Sequence, residues 1–245
     1  MRKLLIALQF LTIIPLRKSL EVAEEDLGKS MVYFPLIGLF IGGCLALSQV
    51  LLSFLFPPVI VDGLLVTIAV LLTGALHLDG LSDTIDALAS RKGREEKLRI
   101  MKEGKIGAVG AVGVFLVLML KYASLTALPK NLTLAALLLF PAMGRWAQLV
   151  VAYFSEYAGH KKGLGFPFTL QVTYLMVIVT TVPVFLLSFL LFKIKGVVMA
   201  GVIGLFCVLY SHFFKRALGG VTGDVLGAVN ELTEVLFLLL VLVQL

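Results

Sequence analysis

In the stretch GALHLDGLSDTIDALASRKGREEK, three carboxylates, Asp79, Asp83 and Asp86, follow directly on an uncharged run from Leu64 to Gly74. On a helix turning about 100° per residue, Asp79 and Asp83 project about 40° apart, with Asp86 about 20° to the other side. At ~6 Å and an effective dielectric near ~20, each pair repels by about 3 kcal/mol, so a cation must offset them. Two sources exist. Arg91, Lys92, Arg94 and Lys97 lie just downstream and could make a solvated, salt-bridged helix end. Alternatively the acids hold a divalent ion. Carboxylate oxygens suit Mg²⁺, which keeps several waters and bridges to substrate phosphates. With no cysteine nearby and a single histidine, His77, the set is a poor match for zinc.

A second acidic motif, LGGVTGDVLGAVNELTE, repeats the interval, with Asp224 and Glu231 seven residues apart. If a helix starts near Asp224, both acids share a face. Gly219, Gly220 and Gly223 permit tight turns whose N–H groups can face an anion, with Thr222 among them. The plainer reading is a glycine-rich link between two spans; no GK[ST] follows, so it is not a P-loop. Basic residues flank both motifs: Arg94, Lys97, Arg99, Lys102 and Lys105 after the first, Lys215 and Arg216 before the second. They suit a polyphosphate, or they anchor the membrane interface.

The elements that must position these groups are membrane helices. The chain has 245 residues, is 60% hydrophobic and only 15% charged, with mean hydropathy +1.04. A soluble domain averages about 25% charged residues, and a bilayer-crossing helix needs about 20 apolar ones. Apolar runs fall near 33–56, 59–78, 106–128, 131–154, 170–192, 196–214 and 225–244. They predict an all-α, polytopic helix bundle of about seven spans, forming one integral-membrane domain over 1–245. Leu4 to Leu16 is too short to span and ends beyond Pro15, which predicts a short N-terminal interfacial or re-entrant helix. A signal peptide is the rival, but no small-residue cleavage site follows.

Lys and Arg set the orientation. Segment 79–105 carries seven, 17–30 three, 155–169 and 215–224 two each, and Arg2 and Lys3 add two, giving sixteen on one face. The other face has three: Lys130, Lys193 and Lys195. The richer face is expected in the cytoplasm, and the formal charge of +6 reflects topology rather than nucleic-acid binding. Both acidic motifs then meet on that face, at the membrane interface, since an Asp at mid-bilayer costs roughly 2.5–3.5 kcal/mol. Segment 79–105 becomes the cytoplasmic part of a shared site. Lys121 and Arg145 fall inside spans. Lys121 is expected to snorkel outward, and Arg145 to find a buried carboxylate or a substrate phosphate. Cys44 and Cys207 stand singly in apolar runs and make no framework.

Taken together, HLDGLSDTIDALAS, LRIMKEGKIGAVG and KRALGGVTGDVLGAVNELTE, with FLTIIP and YFPLIG upstream, resemble the cobalamin synthase family, the adenosylcobinamide-GDP ribazoletransferases. The resemblance runs nearly end to end. It implies a Mg²⁺-dependent transferase in the cell inner membrane, late in cobalamin biosynthesis. α-Ribazole, or its 5′-phosphate, attacks the cobinamide-bearing phosphorus of adenosylcobinamide-GDP, and GMP leaves. On this resemblance Asp79 and Asp83 are the first metal ligands, followed by Asp86, Asp224 and Glu231. A carboxylate or His77 takes the hydroxyl proton, although His77 lies about 200° around the helix from Asp79. Arg94, Lys102, Lys105, Arg145, Lys215, Arg216 and Thr222 are the substrate-contacting candidates.

The sequence departs from the family pattern at Ile14, Ala87, Arg99 and Gly104, and near Gly163-Leu164-Gly165 it offers His160 or Lys161 for a usual Arg. No carboxylate is lost. A CDP-alcohol phosphotransferase would carry Ala-Arg where Asp79-Gly80 is followed by Leu81-Ser82-Asp83. A divalent-cation transporter would place acids near mid-span, and a scaffold would not need two acidic motifs on one face. The expected partners are the two substrates and the lipid bilayer, with homo-oligomerisation left open.

Overall fold

The computed structural model describes residues 2–15, 22–159, 163 and 165–244. Arg17, Lys18, His160 and Lys161 lie outside the described residues. The helices are α1 (Arg2–Leu11), α2 (Glu24–Ser30), α3 (Phe34–Leu52), α4 (Pro58–Thr73), α5 (Leu76–Ala89), α6 (Arg94–Lys102), α7 (Ala108–Ala127), α8 (Lys130–Tyr153), α9 (Phe166–Gln171), α10 (Tyr174–Leu218) and α11 (Gly223–Leu242). A 3₁₀ turn, Met31–Tyr33, joins α2 to α3. Among the described residues the fold is all-α, apart from an isolated bridge between Tyr157 and Val221.

By length and apolarity five helices can cross a membrane, or six if α4 and α5 together count as one broken span. This count takes α10 as one helix, and it departs from the expected seven at two places. The run expected at 59–78 is not straight. Gly74 and Ala75 both adopt left-handed backbone, at φ 59° and 57°, and α5 leaves α4 at 90°. Ala75 holds that conformation against its Cβ, a cost of about 1 kcal/mol or more. The runs expected at 170–192 and 196–214 are the two arms of α10, which meet at a backbone break at Lys193 (φ 58°, ψ −142°). Positions eight apart on a straight helix are about 12 Å apart, yet Gly196 packs against the Ser188 carbonyl. The chain therefore doubles back at Lys193. Phe192 meets Phe237, and Lys195 donates to the Val241 carbonyl at 2.8 Å, whereas Tyr210 donates to the Val225 carbonyl at 2.9 Å.

At the centre stands α8, buried along most of its length and packed between α3, α10 and α11. Gly38 and Gly42, four residues apart, bring α3 against the α8 backbone at Leu137–Ala142, the small-residue spacing that lets membrane helices approach closely. Outward faces are apolar, as at Val112 and Phe115 on α7 and Val182 and Phe189 on α10. The N-terminal helix α1 packs on α2 and α3, and the Ile13 N–H donates to the Leu72 carbonyl at 2.9 Å. That bond ties the chain start to the bend before α5.

Candidate active site

The two acidic motifs meet backbone to backbone. A Cβ added at Gly80 would lie 2.8 Å from both the Cα and the carbonyl oxygen of Asp224. Only glycine lets α5 approach the first turn of α11 so closely. The turn itself is set by Thr222, whose hydroxyl accepts from Val225 N–H at 3.3 Å and donates to Asp224 Oδ2 at 3.3 Å. Thr222 is therefore the N-cap of α11, one reason for the Thr-Gly-Asp order.

Asp79, Asp83 and Asp224 form the resulting acidic seam. Asp79 is exposed and Asp83 is buried, with the charges of Asp224, Asp79 and Asp86 all acting on it. None of Asp79, Asp83 and Asp224 has an ion-pair partner among the described residues. Burial, and then the nearby charge of Asp224, raise the Tyr157 phenol above its ordinary value.

Asp86 is differently employed. Its Oδ2 accepts from Gly107 N–H at 2.7 Å and its Oδ1 from Gly110 N–H at 2.8 Å. It closes the free N–H groups that begin α7, where a negative charge also favours the helix dipole. Expected as a metal ligand and catalytic group, it serves first to fix α5 to α7.

Glu231 corrects a second expectation. It shares the long axis of α11 with Asp224 but not its neighbours. Lys121 donates to Glu231 Oε2 at 2.7 Å and to Glu234 Oε2 at 2.5 Å. Arg145 pairs with Glu234, and Asn230 donates to both glutamates at 3.1 and 3.0 Å. All five residues are buried. Two cations and two anions balance inside the bundle, so Glu231 is a structural group. Lys121 does not snorkel, and the partner of Arg145 is a buried carboxylate, which removes it from the substrate contacts.

His77 lines the same cavity as Asp79, despite their separation around the helix. Its Nε2 is 3.1 Å from Gln148 Nε2, and Gln148 Nε2 also donates to the Leu226 carbonyl at 3.1 Å. The amide nitrogen can only donate, so His77 Nε2 accepts and the ring proton sits on Nδ1. The basic nitrogen of His77 is thus engaged by Gln148 in this arrangement.

Two cavities flank the glycine loop before α11. An enclosed one of about 150 Å³ has His77, Asp79, Gln148 and Asp224 at one end and Phe10, Met31, Phe34 and Phe168 at the other. The second, open and about 730 Å³, is lined by Arg94, Glu95, Leu98, Arg99, Lys102, Ala158 and Gly159, three cations to one acid. Arg94 packs over Gly219, where a Cβ would lie 2.5 Å from its guanidinium carbon. Gly219 has φ 78°, so that position favours glycine twice over. Arg99 and Lys92 are occupied with Glu96, which their hydrogen bonds hold down to about 2. Arg94 and Lys102 have no ion pair among the described residues. Lys105 and Arg216 are exposed outside both cavities, and Lys215 lies 3.7 Å from Glu156.

Gln148, Tyr157 and the phenylalanine cluster were not anticipated. Their segments carry no local chemical pattern, and only tertiary packing brings them to the seam. Gly163 and Gly165, a glycine pair singled out in the sequence, did mark part of this neighbourhood: a Cβ at Gly165 would be 2.5 Å from Gly223 N.

Comparisons with known proteins identify the family. The model of the family described as cobalamin-5-phosphate synthase matches residues 3–242. Over 239 residues the chain is 43% identical to the adenosylcobinamide-GDP ribazoletransferase of Geotalea daltonii, covering 98% of this chain and 96% of that protein. It is 38% identical over 240 residues to the enzyme of the same name from Acetivibrio thermocellus, covering 98% and 97%. No solved structure matches. With both acidic motifs inside the matched region and full-length relatives of one name, the chain belongs to the cobalamin-5-phosphate synthase family.

Proposed function

We infer that this chain is an adenosylcobinamide-GDP ribazoletransferase, the activity named for its relatives. The observation that carries the mechanism is the contact of Gly80 with Asp224, which makes one acidic seam from two distant motifs. The enclosed cavity reaches the seam at Asp79 and Asp224, and Arg94 of the open one packs over Gly219 in the loop leading to Asp224, so nucleophile and diphosphate can approach by separate routes. Arg94 and Lys102 receive the diphosphate. A ribose hydroxyl of α-ribazole, or of its 5′-phosphate, forms the new O–P bond at the phosphorus bearing cobinamide. The P–O bond to GMP breaks, and GMP keeps the bridging oxygen. Asp79, which lines the enclosed cavity, takes the hydroxyl proton on its carboxylate.

The residues fit Mg²⁺. The donors are carboxylate oxygens, with the lone pair of His77 already engaged by Gln148. Among the described residues no three His, Cys, Asp or Glu side chains gather as a ready-made cage. That suits an ion bound by one or two carboxylates, with substrate phosphates and water completing its shell. Two of Asp79, Asp83 and Asp224 would hold it, and it would neutralise charge developing on the diphosphate.

The assay is purified protein with adenosylcobinamide-GDP, α-ribazole and Mg²⁺, read for GMP and cobalamin. Stoichiometric appearance of both, abolished by EDTA and restored by Mg²⁺, is expected. GMP without cobalamin would reduce the activity to hydrolysis. Undiminished turnover in EDTA would remove the metal from the mechanism.

The sixteen-to-three division of Lys and Arg supports an inner-membrane protein with this seam facing the cytoplasm. In a chain with Cys44 and Cys207 replaced, a cysteine at Gly93 should react with an impermeant reagent only from the cytoplasm. One at exposed Leu55 should react only from outside. Labelling of both from one side would overturn this orientation.

A further inference from the structure

We propose that the enclosed cavity is the site for the planar base of α-ribazole, with Phe10, Phe34 and Phe168 as its specificity-determining walls. The proposal rests on the ribazoletransferase reading and adds a location for the nucleophilic substrate. Three separate segments build these walls. Phe10 comes from α1, Phe34 from the start of α3 and Phe168 from the short α9. Their ring centroids are 5.2 Å (Phe10–Phe168), 5.5 Å (Phe34–Phe168) and 6.0 Å (Phe10–Phe34) apart, the first two pairs edge to face.

Size, polarity and placement select the occupant. A cavity of about 150 Å³ is far too small for a corrinoid with its amide arms, but is on the scale of a flat aromatic ring. An apolar, aromatic-walled end excludes a diphosphate, which must desolvate to enter, and favours an uncharged flat ring that stacks. The far end of the cavity reaches Asp79 and Asp224, so a nucleoside seated base-first presents its ribose to the acidic seam. Residues lining the cavity also keep unused hydrogen-bonding capacity. His77 Nδ1, which carries the ring proton, and Gln148 Oε1 are buried without a partner among the described residues.

The test separates the two substrates. Purified wild type, Phe168→Ala, Phe10→Ala and Phe168→Tyr are compared for KM toward α-ribazole and toward adenosylcobinamide-GDP. Loss of one ring–base contact should raise the α-ribazole KM roughly tenfold to a hundredfold. The adenosylcobinamide-GDP KM should stay within about twofold by the same reasoning, and Phe168→Tyr should restore most of the loss. Calorimetric binding of α-ribazole to the Asp79→Asn protein supplies a readout without turnover. Phe168→Ala should weaken it by the same factor, while ribose alone should not bind.

A KM effect confined to adenosylcobinamide-GDP would assign the cavity to the other substrate. No effect on either, with unchanged α-ribazole binding, would leave it to a lipid chain or to packing, and the proposal would fail. Either failure would leave GMP release by wild type intact. If wild type made no cobalamin yet bound α-ribazole in a Phe168-dependent way, the functional reading would fall instead.

Discussion

Asp224 and Glu231 stand on the same helix, about 10 Å apart along its axis at 1.5 Å per residue. At the Asp224 end, Asp79, Asp83 and Asp224 face one another with no ion-pair partner among the described residues. At the Glu231 end, Lys121 and Arg145 balance Glu231 and Glu234, with Asn230 bonded to both acids. The difference teaches how to sort charges in a membrane bundle. A buried set that closes on itself is architecture, since its members have no capacity left for a ligand. A set of like charges kept together is held for something that arrives from outside. Burying the balanced set still costs desolvation, so its contribution is register between α7, α8 and α11 more than net stability.

The largest expected effect lies at the seam. Asp79→Asn and Asp83→Asn keep size and remove charge. Turnover should fall by several orders of magnitude, while membrane yield and thermal midpoint stay near wild type. Wild-type-like turnover in either variant would return the seam to a solvated helix end and erase the contrast.

At the balanced end the losses should be structural. Glu234→Gln leaves two buried cations with one carboxylate, and breaking such a set costs about 3–5 kcal/mol. Folded yield and thermal midpoint in detergent should drop, as they should, less steeply, for Glu231→Gln. The Mg²⁺ midpoint of the remaining activity should not move in either. Asp224→Asn should do the reverse, raising the Mg²⁺ midpoint with little change in stability. A shifted Mg²⁺ midpoint in Glu231→Gln would merge the two regions into one site.

The smallest effect sharpens the boundary between them. Asp86 sits beside the seam, yet both its oxygens are used on the first turn of α7. Asp86→Asn should lower stability by about 1 kcal/mol, the scale of a lost helix cap, with turnover within several-fold of wild type. A loss as deep as that of Asp83→Asn would move Asp86 into the catalytic set.

Much of the seam, though not its separation from Glu231, was legible from local pattern. Apolar runs gave the helices, and the four-residue step from Asp79 to Asp83 gave two acids on one face. The placement of Asp224 opposite them followed from charge asymmetry between loops. Periodicity says only which residues share a helix face, not which other helix that face meets. Lys121 finds Glu231 across 110 residues, so its pairing left no trace in either segment. The same holds for Phe10, Phe34 and Phe168, ordinary apolar residues until three segments converge. The 90° bend escaped notice because Ala75, unlike Gly74, gives no sign of a left-handed backbone. The reversal at Lys193, by contrast, was legible, because the apolar runs 170–192 and 196–214 stop on either side of Lys193 and Lys195.

The balanced set also has a history in time. Membrane chains emerge from the ribosome N-terminus first. Lys121 is therefore made 113 residues before Glu234, and Arg145 89 residues before it. During that interval α7 and α8 carry cations with neither glutamate yet made, each disfavoured in lipid by roughly 2.5–3.5 kcal/mol. The glutamates arrive only with α11, which also brings Asp224 against Gly80. One helix thus completes the charge balance of the bundle and the acidic seam in a single docking event. A chain cut short before α11 lacks both, and the cell's quality control meets two uncompensated cations rather than an enzyme with a damaged site.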